Sequence, residues 1–217
     1  ATRAGLASLV VRSEDTRAAV MTFRCSARRW GLPWLCYADR GSCYDSRPFR
    51  GGLAELGSHR IYVKPRNPEA NGKIEAFHRL LAAWFVRRLA KQVVVDLVHL
   101  QMLLDGFVEL YQKHWHRQLR STPREALADR MSPRSVSGAR LEDAFRQEKK
   151  LRAHRKTGEV DVGAGTWTVP EHMRGQELVF RVDLDPQVPP LVVEPGTGRL
   201  LPLERAAVRP EDAPPEP

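Results

Sequence analysis

Two acids stand out for what surrounds them. Asp39 follows the apolar stretch "WLCYA" and opens the turn-like "DRGS". Glu75 lies in "NGKIEAFHRLLAAWF", residues 71–85, the one acid among Lys73, His78 and Arg79. Carboxylate oxygens are suited to hold a hard divalent cation, and clustered bases to hold phosphate. Each acid also has an ordinary explanation. Asp and Gly favour turns, which would account for Asp39. A first-turn acid complements the helix dipole, which would account for Glu75.

The chain has 217 residues and a formal net charge of +9, with 42% hydrophobic and 28% charged residues. These values suit a globular protein of one or two domains. The basic excess, with a pI near 9.9, favours a polyanionic partner, although a basic surface also serves plain solubility. No apolar run is long enough to span a bilayer, and the charged opening "ATRAGLASLVVRSEDTR" does not read as a signal peptide. Cys25, Cys36 and Cys43 are odd in number and fit no zinc spacing. They read as reduced, buried thiols of a cytoplasmic protein.

The elements that must position the two acids follow from patterning. "LASLVV" (6–11) predicts a strand, and "SEDT" opens a helix over about 14–30, stopped by Gly31 and Pro33. Strands are expected at 34–38 and 59–63, with a short helix at 48–57 between them. "KPRNPEANG" (64–72) reads as a loop, so that Glu75 would fall in the first turn of a helix over 72–92. This alternation is that of an α/β protein. A second helix is expected over about 96–115 and a turn with Pro123 at a helix start. The run "RQEKKLRAHRK" (146–156) reads as a solvated linker or a backbone-gripping segment with Lys149, Lys150, Arg152 and Arg155. From 157 the glycine-punctuated short strands suggest a small β-barrel to about 205, and 206–217 reads as a disordered tail.

Taken together, "GLPWLCYADRGSCYDS" and "KPRNPEANGKIEAFHRLLAAWF" resemble the catalytic core of the DDE transposase and retroviral-type integrase superfamily. In that family one catalytic Asp sits in a D-N-G-S or D-R-G-S turn. The Glu sits in an N-G-K-I-E-R-F-H-R helix, commonly thirty-five residues on. The helix motif departs from this only at Ala76, where Arg is usual. "YQKHWHRQLRSTPREAL" resembles the motif that follows the core, and "GEVDVGAGTWTVPEHMRGQELVFRVDLD" resembles the C-terminal β-barrel of bacterial transposases of the phage Mu type.

The resemblance implies a partial RNase H-like core over 1–92, a helical extension and basic linker over 93–156, and a barrel over 157–205. It implies metal-dependent DNA cleavage and strand transfer, with Asp39 and Glu75 as ligands of Mg²⁺ or Mn²⁺ and Lys73 and Arg79 on phosphate. Two ions about 4 Å apart would clamp the attacking and leaving oxygens. It also implies that the first two strands and the first catalytic Asp are lacking, since "ATR" resembles the end of the turn that follows them. Asp15 and Asp45 stand in the wrong places to substitute. The expected partners are mobile-element ends and target DNA, with a homo-oligomer on DNA and no membrane. The expected location is the bacterial nucleoid. The alternative is a non-catalytic DNA-binding remnant. Trp34, Tyr44 and Trp167 are expected in the core, and His116 in a structural role.

Overall fold

The computed structural model describes residues 2–38, 41–62, 68–129, 132, 134–163 and 165–206, with the side chains of 68–71 left aside. The chain divides into two compact units, residues 1–144 and 145–217.

The first unit mixes helices with a small sheet. Helix α1 (Thr16–Trp30) is capped by Asp15, whose carboxylate accepts the Ala18 N–H at 2.8 Å, rather than by Ser13, whose hydroxyl donates to Asp15 instead. Gly31, at φ 80°, ends it in a conformation that an L side chain adopts poorly. Strand β1 (Leu35–Ala38), the short helices α2 (Ser42–Asp45) and α3 (Arg47–Glu55), and strand β2 (His59–Tyr62) follow. The strands pair in parallel, from Leu35↔His59 to Ala38↔Tyr62. One face carries Cys36, Ala38 and Arg60, which pack toward the helices. The other, with Leu35 and Tyr37, is open.

Helix α4 (Pro68–Leu80) begins four residues earlier than the sequence suggests. The Asn71-Gly72 pair, expected to be a turn, lies inside it. Proline is well suited to a first helical position, and Pro68 outweighs the weak helix propensity of the Asn-Gly pair. The helix continues through a π-helical turn (Leu81–Val86) into α5 (Arg87–Leu89). A physical reason for the π-turn is visible in the apolar row. Phe77, Leu81, Phe85 and Leu89 recur every four residues and are all half-buried. At 3.6 residues per turn such a row would wind about 40° around the axis at each step. A turn with i→i+5 bonds holds more residues and absorbs the drift. Phe77, Leu81 and Phe85 thereby stay on one side, against Leu104, Phe107 and Val108 of α6 (Leu97–Lys113). Helix α7 (Pro123–Ala128) starts with a complete Thr122/Glu125 capping box, and α8 (Gly138–Asp143) closes the unit.

The expected strand at 6–11 is not formed. The segment has no regular secondary structure, and among the described residues no strand pairs with it. Side chains take that role. Gln101 of α6 accepts the Val10 N–H (2.7 Å) and donates to the Ser8 carbonyl (3.0 Å). The Gln112 carboxamide donates to the Gly5 carbonyl (3.1 Å), the Tyr111 hydroxyl to the Arg3 carbonyl (2.8 Å) and the Trp30 indole to the Leu6 carbonyl (2.9 Å). Gln101→Leu would strand the donor and acceptor at once, and an unsatisfied buried polar group costs about 1–3 kcal/mol. Urea unfolding should show a loss of that size. An unchanged midpoint would mean that water replaces the carboxamide without penalty.

The second unit holds two antiparallel sheets over one core. The first has the order β3 (Gln147–Arg152), β6 (Glu177–Val182), β7 (Leu191–Val193), β8 (Leu200–Pro202). The second joins β4 (Glu159–Asp161), β5 (Thr166–Thr168) and β9 (Glu204–Arg205). Trp167, Met173, Leu178, Phe180 and Val192 fill the space between them. No closed ring of strands forms among the described residues, where the sequence suggested a barrel. The run expected as a linker is instead β3, an edge strand whose burial alternates residue by residue. Most of the acidic tail lies outside the described residues.

Candidate functional site

The parallel pair sets the geometry around the two acids. Ala38 and Tyr62 end their strands side by side, so both strands deliver the chain to the same end of the sheet. Functional groups collect at the carboxyl ends of parallel strands. Asp39 follows β1 directly but lies outside the described residues. Glu75 lies on α4, the helix that follows β2.

Glu75 is the eighth residue of α4, two turns from its start. This corrects the expectation of a first-turn acid, and the helix-dipole explanation weakens with it, because that effect fades beyond the first turn. Glu75 is exposed and forms no ion pair or hydrogen bond with any described residue. Arg79 stands four residues on, a spacing that permits pairing, yet the two remain apart. Lys73, His78 and Arg79 are likewise exposed.

Other acids of the region are committed elsewhere. Asp45 accepts from Arg60 (2.8 Å) and the Tyr62 hydroxyl (2.6 Å), and Arg50 stands at 3.7 Å. Asp15 caps α1. The Ala18 N–H, then the Ser13 hydroxyl, hold its carboxyl below the usual carboxylate range. Neither has the freedom to join Asp39 and Glu75. Among the described residues, no group of three or more His, Cys, Asp or Glu side chains could hold a metal. His116 bridges by its backbone to Ser121. Burial, then the charges of Arg3 and His114, push its imidazole down from the ordinary value, as befits a structural residue. Trp167 is buried as expected, whereas Trp34 is 61% exposed and stacks under the Arg134 guanidinium at 4.2 Å. Cys43 is buried and Cys25 and Cys36 half-buried, all as thiols.

Charge is unevenly shared. Residues 1–144 hold 24 Lys and Arg against 14 Asp and Glu, and residues 145–217 hold 11 against 12. The whole basic excess therefore belongs to the first unit. In the second, two cations of the 146–156 run reach backbone carbonyls. Lys149 donates to the Val162 carbonyl at 2.5 Å, and Arg146 donates to the carbonyls of Arg181 (3.1 Å) and Pro189 (3.0 Å). Lys150, Arg152, Arg155 and Lys156 of the run are exposed. Sequence reading missed the basic helix end at Arg87, Arg88 and Lys91. A count of charge by unit would have pointed to it.

No family model matches the chain. A mouse protein described as "IgE-binding protein" is 31% identical over 62 residues, which is 29% of this chain. The chain spans about a tenth of that relative's length, 11%. Among solved structures, the chain is similar to the catalytic core domain of BIV integrase, at 20% identity and a TM-score of 0.44, over 55% of this chain and 75% of that one. It is also similar to a chain of the simian T-cell lymphotropic virus intasome, at 16% identity and a TM-score of 0.49, over 92% of this chain and 67% of that one.

Proposed function

We propose that the chain is a transposase- or integrase-type protein that handles DNA in recombination, with Asp39 and Glu75 as two carboxylates of a Mg²⁺ or Mn²⁺ position. The observation that carries this reading is the parallel β1–β2 pair. Its two carboxyl ends lead into the segments that hold the D-R-G-S turn and the N-G-K-I-E helix. Glu75 fits the role: it is exposed, flanked by cations, and pairs with no described residue. The donor set fits as well, because Mg²⁺ prefers carboxylate oxygen and needs few protein ligands. A bound cation would polarise a phosphodiester oxygen and lower the cost of the charge that builds there. Lys73 and Arg79 would hold phosphates beside it. The second unit is the counterpart of a Mu-type transposase barrel in this reading, with Lys149, Lys150, Arg152 and Arg155 as further backbone contacts. The partners are element ends and target DNA, handled by an oligomer in the bacterial nucleoid. Two carboxylates alone hold such ions weakly, so a second reading, a non-catalytic DNA-binding chain, follows if no further ligand joins them.

Mn²⁺ titration of the full chain, followed by NMR, tests the metal position. Low-millimolar Mn²⁺ should broaden the amides at the end of β1 and around Glu75 together, and Asp39→Asn or Glu75→Gln should each relieve both. Broadening at β1 that ignores Glu75→Gln would leave Glu75 with no part in the site.

A further inference from the structure

The π-turn that keeps the apolar row of α4 straight has a second effect on the opposite side of the same helix. Glu75, Arg79, Ala83, Arg87 and Lys91 also recur every four residues, and all five are exposed. Without the wide turn, Arg87 and Lys91 would wind away from Arg79 by about 40° at each step. With it, Arg79 and Arg87 stand on one ridge, and Lys91 follows in the turn just past the end of α5. Ala83, the residue between Arg79 and Arg87, is small and leaves room for close approach. From Arg79 to Arg87 the ridge runs about 12 Å at the α-helical rise, which is roughly three to four phosphate spacings along one strand of duplex DNA.

These cations lack local compensation. Among the described residues, the ion pairs of the first unit engage Arg24, Arg28, Arg50, Arg60, Lys113 and Arg124, and none of the ridge cations. The single acid of the row, Glu75, stands at one end. The first unit also holds the whole basic excess of the chain, whereas the second unit is close to neutral. A solvated helix face ordinarily mixes the two signs or pairs them at i,i+4. This one does neither beyond Glu75.

We infer that Arg79, Arg87 and Lys91 form a phosphate-tracking ridge that binds the sugar–phosphate backbone of duplex DNA and supplies most of the chain's DNA affinity. The inference rests on the DNA reading above and deepens it. It extends the contact surface twelve residues beyond Arg79, away from the metal position, and takes the main role from the 146–156 strand. Contacts of this kind carry no sequence information, so binding on the ridge is sequence-tolerant.

The experiment is fluorescence anisotropy of the full chain with a labelled random-sequence duplex, repeated across NaCl concentrations. Each phosphate contact contributes about 0.9 to the slope of log K against log salt. Arg79→Gln/Arg87→Gln/Lys91→Gln should therefore lower the slope by about 2–3. Lys150→Gln/Arg152→Gln should leave it within about 0.5 of the parent value. Ala83→Glu, at an exposed site where the helix tolerates Glu, should weaken binding with unchanged circular dichroism, and so keeps the test decisive if the triple variant misfolds. A parent chain that binds with a steep slope unaltered in the triple variant overturns the ridge and leaves the DNA reading standing. A parent chain that does not bind duplex DNA even at low salt overturns both.

Discussion

Phe180→Ala is expected to leave the second unit unfolded in water at room temperature. Phe180 is wholly buried, at the centre of a cluster with Val160, Trp167, Met173, Leu178 and Val192. It sits on β6, the strand that pairs with both β3 and β7, so the cavity would open where both pairings meet. Phe→Ala in a core costs about 3–5 kcal/mol. A unit of this size, with one core and strands of two to six residues, has about that much stability to lose. Hydrogen exchange read by mass spectrometry should show β3, β6 and β7 losing protection together. Phe180→Leu, which keeps most of the volume, should preserve it. Persistent protection of β3 and β6 in the alanine variant would show that the sheets hold without this ring.

Glu142→Ala carries the next largest effect. Arg24 is 4% exposed in the middle of α1, where its guanidinium donates to the Glu142 carbonyl (2.6 Å) and faces the Glu142 carboxylate (3.4 Å). Arg28 pairs with the other oxygen of the same carboxylate. Removal of the acid would take the Glu142 carboxylate from a buried cation, a change that costs up to about 3–5 kcal/mol. Replacement of both partners, as Arg24→Met/Glu142→Leu, should recover most of this, because an apolar pair has no charge to desolvate. Urea midpoints of the two variants decide the matter. A loss under about 1 kcal/mol for Glu142→Ala would place the pair with ordinary surface salt bridges.

The parts of this fold that were legible in sequence are those written locally. The helix stop at Gly31, the helix start at Pro123, the strand pair at 35–38 and 59–62 and the short strands after 157 all announce themselves within a few residues. The misreadings are of another kind. "LASLVV" has strand composition, but strand formation needs a neighbour, and Gln101, ninety residues away, supplies its hydrogen bonds instead. Asn71-Gly72 has turn composition, yet the start at Pro68 carries the helix through it. Lys149 is basic in sequence, but its ammonium is committed to the Val162 carbonyl, a contact that pattern cannot show. The candidate carboxylates were legible as residues. That Glu75 pairs with no described residue while Asp15 and Asp45 are engaged depends on contacts across the fold.

Gln101 bears on how tolerance to mutation should be read in this chain. A glutamine side chain carries the same donor and acceptor as a peptide unit, and here it stands in for one. Glutamate would offer no donor to Ser8, asparagine falls short by a methylene, and leucine offers neither group. A saturation scan of α6 would therefore mark position 101 as sharply restricted, in the manner usually taken for a reacting group, although its carboxamide is engaged by the backbone of Ser8 and Val10. The restriction comes from a strand neighbour condensed into one side chain, so intolerance there is a measure of backbone accounting and says nothing about chemistry.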